Sequence, residues 1–492
     1  MAAMSTQRTR PGLIVGSLAF VCLAVALLQS LVSPAIGKIA LSVHTTPDSA
    51  AWALTVFLLS LGICTPVVGR LGDIHGKRPV FLVTLGVVMA GTLLAALADT
   101  LWLLLLGRVV QGVAGGLFAL SFAIVREELP REKVPAAIGL ISALLGLGSG
   151  LGVLLAGIIA DHLSVHWLFW IPLICTALGL AVSARVLPAS RLRASASVNW
   201  GAAALMSAGL SAILLAVSRT AAWGWVDART LGLAAAGAVV LALWVAVENR
   251  SASPLVDMAM MRKRAVWPVN LLAIGLGFGL FSALLLVPQY AESQVGFGDS
   301  VTTASLMVLP LSAVMLLVGP FSGRLEARYG AKPPAVCGAG AVLAGFVLLA
   351  AAHGSRLPIL AASALLGLGI GLAFAAMANL VVQAVRPEET GVATGVNTVA
   401  RTLGGAFGGQ VAATLVTSGG AGSAPTGAGF DHAFLAMVVA SLVALAAAVA
   451  VPRAGRARVA AARSEPAGGA PLPEPLLEPQ PQPEPGAVRG AP

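Results

Sequence analysis

Charge is scarce in this chain: 10% of its 492 residues are Asp, Glu, Lys or Arg, against 58% hydrophobic residues and a mean hydropathy of +0.92. So few charges cannot cover a core this apolar, which excludes a water-soluble fold and makes a bilayer the expected solvent. Cysteine is scarce too. Cys22, Cys64, Cys175 and Cys337 all fall inside apolar runs without metal-ligand spacing, so neither a disulfide framework nor a zinc site is expected. Carboxylates are missing from the middle of every apolar run: all 20 Asp and Glu, like the six His, sit at run edges or in connections. No glycine-rich loop ending in Lys-Ser/Thr occurs, which argues against ATP hydrolysis. No nucleophile with a base or metal-ligand set stands out, so an enzyme is not expected, and neither a cofactor nor a metal.

What the chain has in abundance is long apolar runs. Cutting it where charge, proline and turn residues interrupt runs of about twenty residues predicts fourteen membrane-spanning helices. They lie near 12–33, 51–68, 80–98, 101–124, 134–160, 167–187, 199–218, 230–247, 266–290, 301–322, 335–352, 358–382, 390–416 and 431–452. The first run follows Arg8 and Arg10, is too long for a signal peptide and lacks a cleavage site, so it reads as a retained span. With the N-terminus in the cytoplasm, only Lys38, Arg219, Arg229 and Arg356 of the 30 Lys and Arg fall outside. Arg108 and Arg401 fall within spans. That asymmetry accounts for the net charge of +10 without nucleic acid and predicts both termini in the cytoplasm. Tryptophans gather at span ends, as amphipathic indoles at an interface should. Residues 456–492 turn proline-rich and read as a disordered cytoplasmic tail.

One short loop concentrates charge. Residues 69–79, GRLGDIHGKRP, are echoed 254 residues later by GRLEARYGAKP at 323–333, with Gly, Arg, Leu, Gly and Pro shared in register. That is an internal repeat. An offset of this size fits eight spans of about twenty residues with short connections better than six, so two helices are inserted between the halves.

Gly69, Asp73, Gly76, Lys77 and Arg78 resemble the signature loop between helices 2 and 3 of the major facilitator superfamily. LGRVVQGVAGG from Leu106 and GLGSGLGVLLAG from Gly146 resemble the helix 4 and helix 5 motifs of its fourteen-helix drug:proton antiporter branch. The resemblance implies an all-α membrane protein with the major facilitator fold: two six-helix halves, 12–198 and 251–455, with two inserted helices at 199–250 and an N-terminal segment at 1–11. It implies a proton-coupled exporter of small lipophilic or amphipathic compounds in a bacterial inner membrane, working as a monomer by alternating access. Transport of one specific metabolite, or a receptor on the same scaffold, are the alternatives. Two departures stand out. Helix 5 has Gly152-Val153 where the motif has Gly-Pro, and helix 1 has Leu28 and Gln29 where many relatives carry an aspartate.

The expected gate comprises Gly69, Arg70, Asp73, Gly76, Lys77 and Arg78. Its cations also satisfy plain orientation, but Asp73 is suited to accept hydrogen bonds at a helix N-terminus across the halves. The expected substrate and proton pathway is Gln29, Arg108, Gln111, Asn270 and Asn379. Arg401 is expected on a peripheral helix, and Asp73 or Asp161 would have to carry protons. Gly146, Gly148, Gly150, Gly152 and Gly157 are expected to let helix 5 pack closely and slide.

Overall fold

In a bilayer every backbone polar group must be satisfied internally, and the long apolar runs do this as helices. The computed structural model describes residues 11–452 apart from 33–34, 51, 190–198, 252–253, 387–388 and 417–424. Residues 1–10 and the proline-rich tail lie outside the described residues, and no strand occurs among those described.

Six long helices come first: α1 (Pro11–Ser30), α2 (Trp52–His75), α3 (Lys77–Ala96), α4 (Leu101–Glu128), α5 (Val134–His162) and α6 (Trp167–Val186). Two more follow, α7 (Trp200–Trp223) and α8 (Ala228–Arg250). The last six are α9 (Trp267–Glu292), α10 (Leu309–Tyr329), α11 (Lys332–Ala351), α12 (Arg356–Ala384), α13 (Thr390–Val416) and α14 (Gly427–Ala450). Among the described residues twelve helices are long and apolar enough to cross a membrane. The count is thirteen if the pair Thr303–Gly319 and Phe321–Tyr329, bent by 46°, is one span. The fourteen expected spans are not reached by this count. Helix α13 falls outside it because Asn397, Arg401, Gln410 and several threonines dilute its 27 residues. That polarity is tolerated because α13 is packed against α2, α4 and α9.

The repeat is visible in backbone geometry. Gly76 separates α2 from α3 at φ 99°, and Gly330 separates α10 from α11 at φ 84°. Both are left-handed conformations that glycine alone adopts without strain. The prolines after them fall in the first turn of the next helix, where no hydrogen-bonded N–H is lost.

The first six helices and the last six meet along two seams, α2 against α13 and α5 against α10 and α12. Helix α7 packs on α2, α13 and α8, while α8 leaves most of its surface exposed. Most of the described arginines and lysines lie at one end of the bundle, called here the basic end.

Candidate functional site

At the basic end the two seams close on small residues. A Cβ at Gly69 would stand 2.5 Å from the Gly391 carbonyl oxygen, so α2 and α13 touch through backbone. A Cβ at Gly323, its counterpart in the repeat, would stand 2.4 Å from the Ala136 Cα, so α10 meets the start of α5 in the same way. Each repeat glycine thus lies against the first turn of a helix in the other half.

The first seam carries a carboxylate. Asp73 is 1% exposed and accepts hydrogen bonds from the backbone N–H of Gly391 (3.3 Å) and Val392 (3.1 Å). These amides belong to the first turn of α13, where no intrahelical carbonyl can receive them and the helix dipole favours negative charge. Lys77 lies one turn further on, 1% exposed, with its Nζ 3.0 Å from the Glu127 carboxylate. Arg78 donates to the Ala184 carbonyl at the end of α6 (2.8 Å), and Arg70 is half-buried. A further crossing was not anticipated from the sequence. Arg126, at the end of α4, donates to Val385 O (3.0 Å), Arg386 O (3.3 Å) and Thr390 Oγ1 (2.6 Å), gripping the turn that leads into α13. Its only advance signal was one more cation in a basic loop.

The second seam has Ala327 where the first has Asp73, but Glu326 beside it is 6% exposed and accepts from Ser322 Oγ (3.0 Å). Asn379 donates to Ala375 O (3.2 Å) and across the halves to Pro135 O (3.3 Å). A cavity of about 390 Å³ opens between the seams, with Lys77, Arg126, Glu127, Arg131, Asn379 and Gln383 among its lining.

A second, contracted cavity of about 20 Å³, room for about one water, lies midway along the bundle. Six helices line it: Gln29 from α1, Leu61 from α2, Phe118 from α4, Ser149 from α5, Phe281 from α9, and Thr398, Arg401 and Thr402 from α13. Arg401 is therefore not peripheral, because α13 is wedged between the halves rather than placed at the rim. Its guanidinium lies 5.1 Å from the Phe374 ring.

The expected pathway residues divide. Gln29 lines the central cavity and Asn379 the larger one. Asn270 instead accepts from Asn397 (2.9 Å), joining α9 to α13. Arg108 and Gln111, both fully buried, line neither cavity. Arg108 donates from Nε to Ala53 O (3.0 Å) and from Nη1 to Leu28 O (3.3 Å) and Gln111 Oε1 (2.9 Å), with its guanidinium 4.1 Å above Phe57. It ties α1, α2 and α4 together, so its cost of about 2.5–3.5 kcal/mol at membrane depth is offset by carbonyls and a ring. The side chain of Asp161 lies outside the described residues.

The helix 5 glycines serve two neighbours in alternation. Gly146 and Gly150 leave room for Met315 and Ser312 of α10, and Gly148 and Gly152 for Ala26 and Ser30 of α1. A Cβ at Gly157 would meet nothing within 4 Å.

Comparison with known proteins adds the family. The sequence model of the Major Facilitator Superfamily matches residues 18–409 and 297–481. The uncharacterized MFS-type transporter Rv1877 of Mycobacterium tuberculosis is 30% identical over 81% of this chain. The chain spans 58% of that relative's length. The tetracenomycin C resistance and export protein of Streptomyces glaucescens is 28% identical over 84% of this chain and 77% of its own length. Other relatives are named as a multidrug transporter or as multidrug resistance proteins. Among solved structures, that of the human organic anion transporter MFSD10 superposes with a TM-score of 0.64 at 18% identity, covering 89% of this chain and 99% of its own, a likeness of fold.

Proposed function

The chain belongs to the Major Facilitator Superfamily, and from that membership we infer a secondary transporter that exports small lipophilic or amphipathic compounds, with proton antiport as its energy source. In this reading the halves 12–198 and 251–455 rock about the central cavity, while 199–250 rides on one seam. The basic end faces the cytoplasm of a bacterial cell, following the asymmetry of Lys and Arg. Relatives named for resistance and export support the direction of transport.

The observation that carries the reading is the Asp73 latch. A carboxylate in one half holds the first amides of α13 in the other, at the end of the molecule that must open to admit cargo from the cytoplasm. Hydrogen bonds to a charged group are worth about 1.5–3 kcal/mol each, strong enough to bias a two-state equilibrium and weak enough for a ligand to reverse it. Cutting them frees the first turn of α13 and lets the seam part.

The test is efflux of lipophilic dyes of both charge signs from cells expressing the chain, with and without a protonophore, beside Asp73→Asn. The variant keeps the shape and loses the charge, so we expect normal insertion and a fall of about tenfold or more in efflux, the equivalent of about 1.4 kcal/mol. Efflux in the parent should stop with the protonophore. Efflux unaffected by the substitution would remove the gating role of Asp73. Persistence with the protonophore would remove proton coupling, and immobility of every dye would replace drug export with carriage of one specific metabolite.

A further inference from the structure

Arg401 stands in the central cavity with no described hydrogen-bond or ion-pair partner; the Phe374 ring is its one described side-chain contact. No Asp or Glu is among the described residues that line that cavity. The carboxylates on its six lining helices all sit at helix ends, and α1 and α13 have none. Asp73 is twelve residues from the lining residue Leu61, roughly 18 Å of helical rise. The positive charge in the central cavity is therefore uncompensated by any described residue.

The remaining polar groups sharpen the picture. The hydroxyls of Ser149, Thr398 and Thr402 donate to the carbonyls of Leu145, Thr394 and Thr398 on their own helices, so they offer the cavity lone pairs only. Gln29, whose side chain has no described partner, and Arg401 are the donors left over. Phe118 and Phe281 supply flat apolar walls.

We propose that the central cavity selects compounds in which an anionic oxygen group, a carboxylate or a phenolate, is attached to an aromatic or lipophilic body, with Arg401 as its counter-ion and Gln29 as a second donor. A guanidinium fork matches a carboxylate bidentately, and desolvation inside the bundle strengthens that pairing. A lipophilic cation placed there would face Arg401 with no carboxylate to balance it. The proposal rests on the export reading, since it takes the cavity to be the cargo site.

The experiment uses the purified full chain and three probes on one ring system: 2-naphthoate, its neutral amide 2-naphthamide, and the cation 2-naphthylmethylammonium. Binding is read by quenching of tryptophan fluorescence, and flux by loading proteoliposomes. We expect 2-naphthoate to bind at least tenfold more tightly than either analogue, Arg401→Gln to erase that preference, and Arg401→Lys to keep part of it. Equal or tighter binding of the cation, a preference unchanged in Arg401→Gln, or no binding by any probe overturns the proposal; the comparison in the parent chain stands even if a variant fails to fold. Arg401-dependent anion binding without flux would uphold the site and sink the export reading. Flux without charge preference would do the reverse.

Discussion

Arg108 and Arg401 are the two arginines that the sequence places within spans, and their surroundings assign them opposite work. Arg108 is surrounded by acceptors from its own half, Ala53 O, Leu28 O and Gln111 Oε1. Removing it takes the donor from Leu28 O, at the open end of α1, and from Gln111 Oε1, at about 1–3 kcal/mol for each group stranded. We expect Arg108→Ala to lower the melting temperature in detergent by several degrees, while Arg401→Ala leaves it within about a degree and changes ligand preference. A melting temperature untouched by Arg108→Ala would show that the helix junction does not depend on the guanidinium. Sequence alone marked both as costly charges at membrane depth, but it put Arg108 in the pathway and Arg401 on a peripheral helix. The packed bundle places them the other way round, Arg401 in the central cavity and Arg108 in a helix junction, because the difference lies in which helices turn their carbonyls toward the side chain.

At the scale of the element, α5 acts as a wedge with two narrow faces. Gly148 and Gly152 admit α1, and Gly146 and Gly150 admit α10, an alternation set by the helical repeat of i and i+4. The motif was legible as a run of glycines, but the allocation to two partners required the packed bundle. Gly157 belongs to the run by sequence and touches nothing that a methyl group would disturb. We therefore expect Gly157→Ala to leave transport unchanged. Gly148→Ala, whose new Cβ would lie 2.4 Å from the Ala26 Cβ, should reduce transport severalfold and destabilise the fold. Equal effects from the two substitutions would show that close approach to α1 is not what these glycines supply. Helix α13 teaches a related lesson. Its polar residues keep it out of the set of apolar spans, and among them Thr398, Arg401 and Thr402 line the cavity and Asn397 meets Asn270, while its first-turn backbone amides hold Asp73.

For the whole molecule, the described contacts between the halves at the basic end include those of Asp73, Arg126, Asn379, Gly69 and Gly323. The central cavity, meanwhile, is contracted to about 20 Å³. If the halves rock as rigid bodies, opening one end closes the other. Spin labels at His75 and Arg328, exposed at the basic ends of α2 and α10, and at Leu163 and Arg356, exposed at the far end, test this directly. Loosening the latch with Asp73→Asn should lengthen the first distance and shorten the second. Movement of one pair without the other would exclude rocking about the centre.

The sequence by itself determined that the chain is a helical membrane protein built on a repeat. Hydropathy, the one-sided distribution of Lys and Arg, and the paired loops at 69–79 and 323–333 are local or additive properties that survive without a fold. It also singled out Gly69 and Asp73, because a glycine and a carboxylate in a basic loop need a reason to be there. Tertiary structure decided what those residues face. The amides of Gly391 and Val392 lie more than 300 positions from Asp73, and the turn held by Arg126 lies about 260 positions from it. Which arginine reaches the central cavity depends on the rotation and depth of α4 and α13 within the bundle. Those are fixed by packing between helices, an interaction among surfaces remote in sequence that no run of adjacent residues encodes.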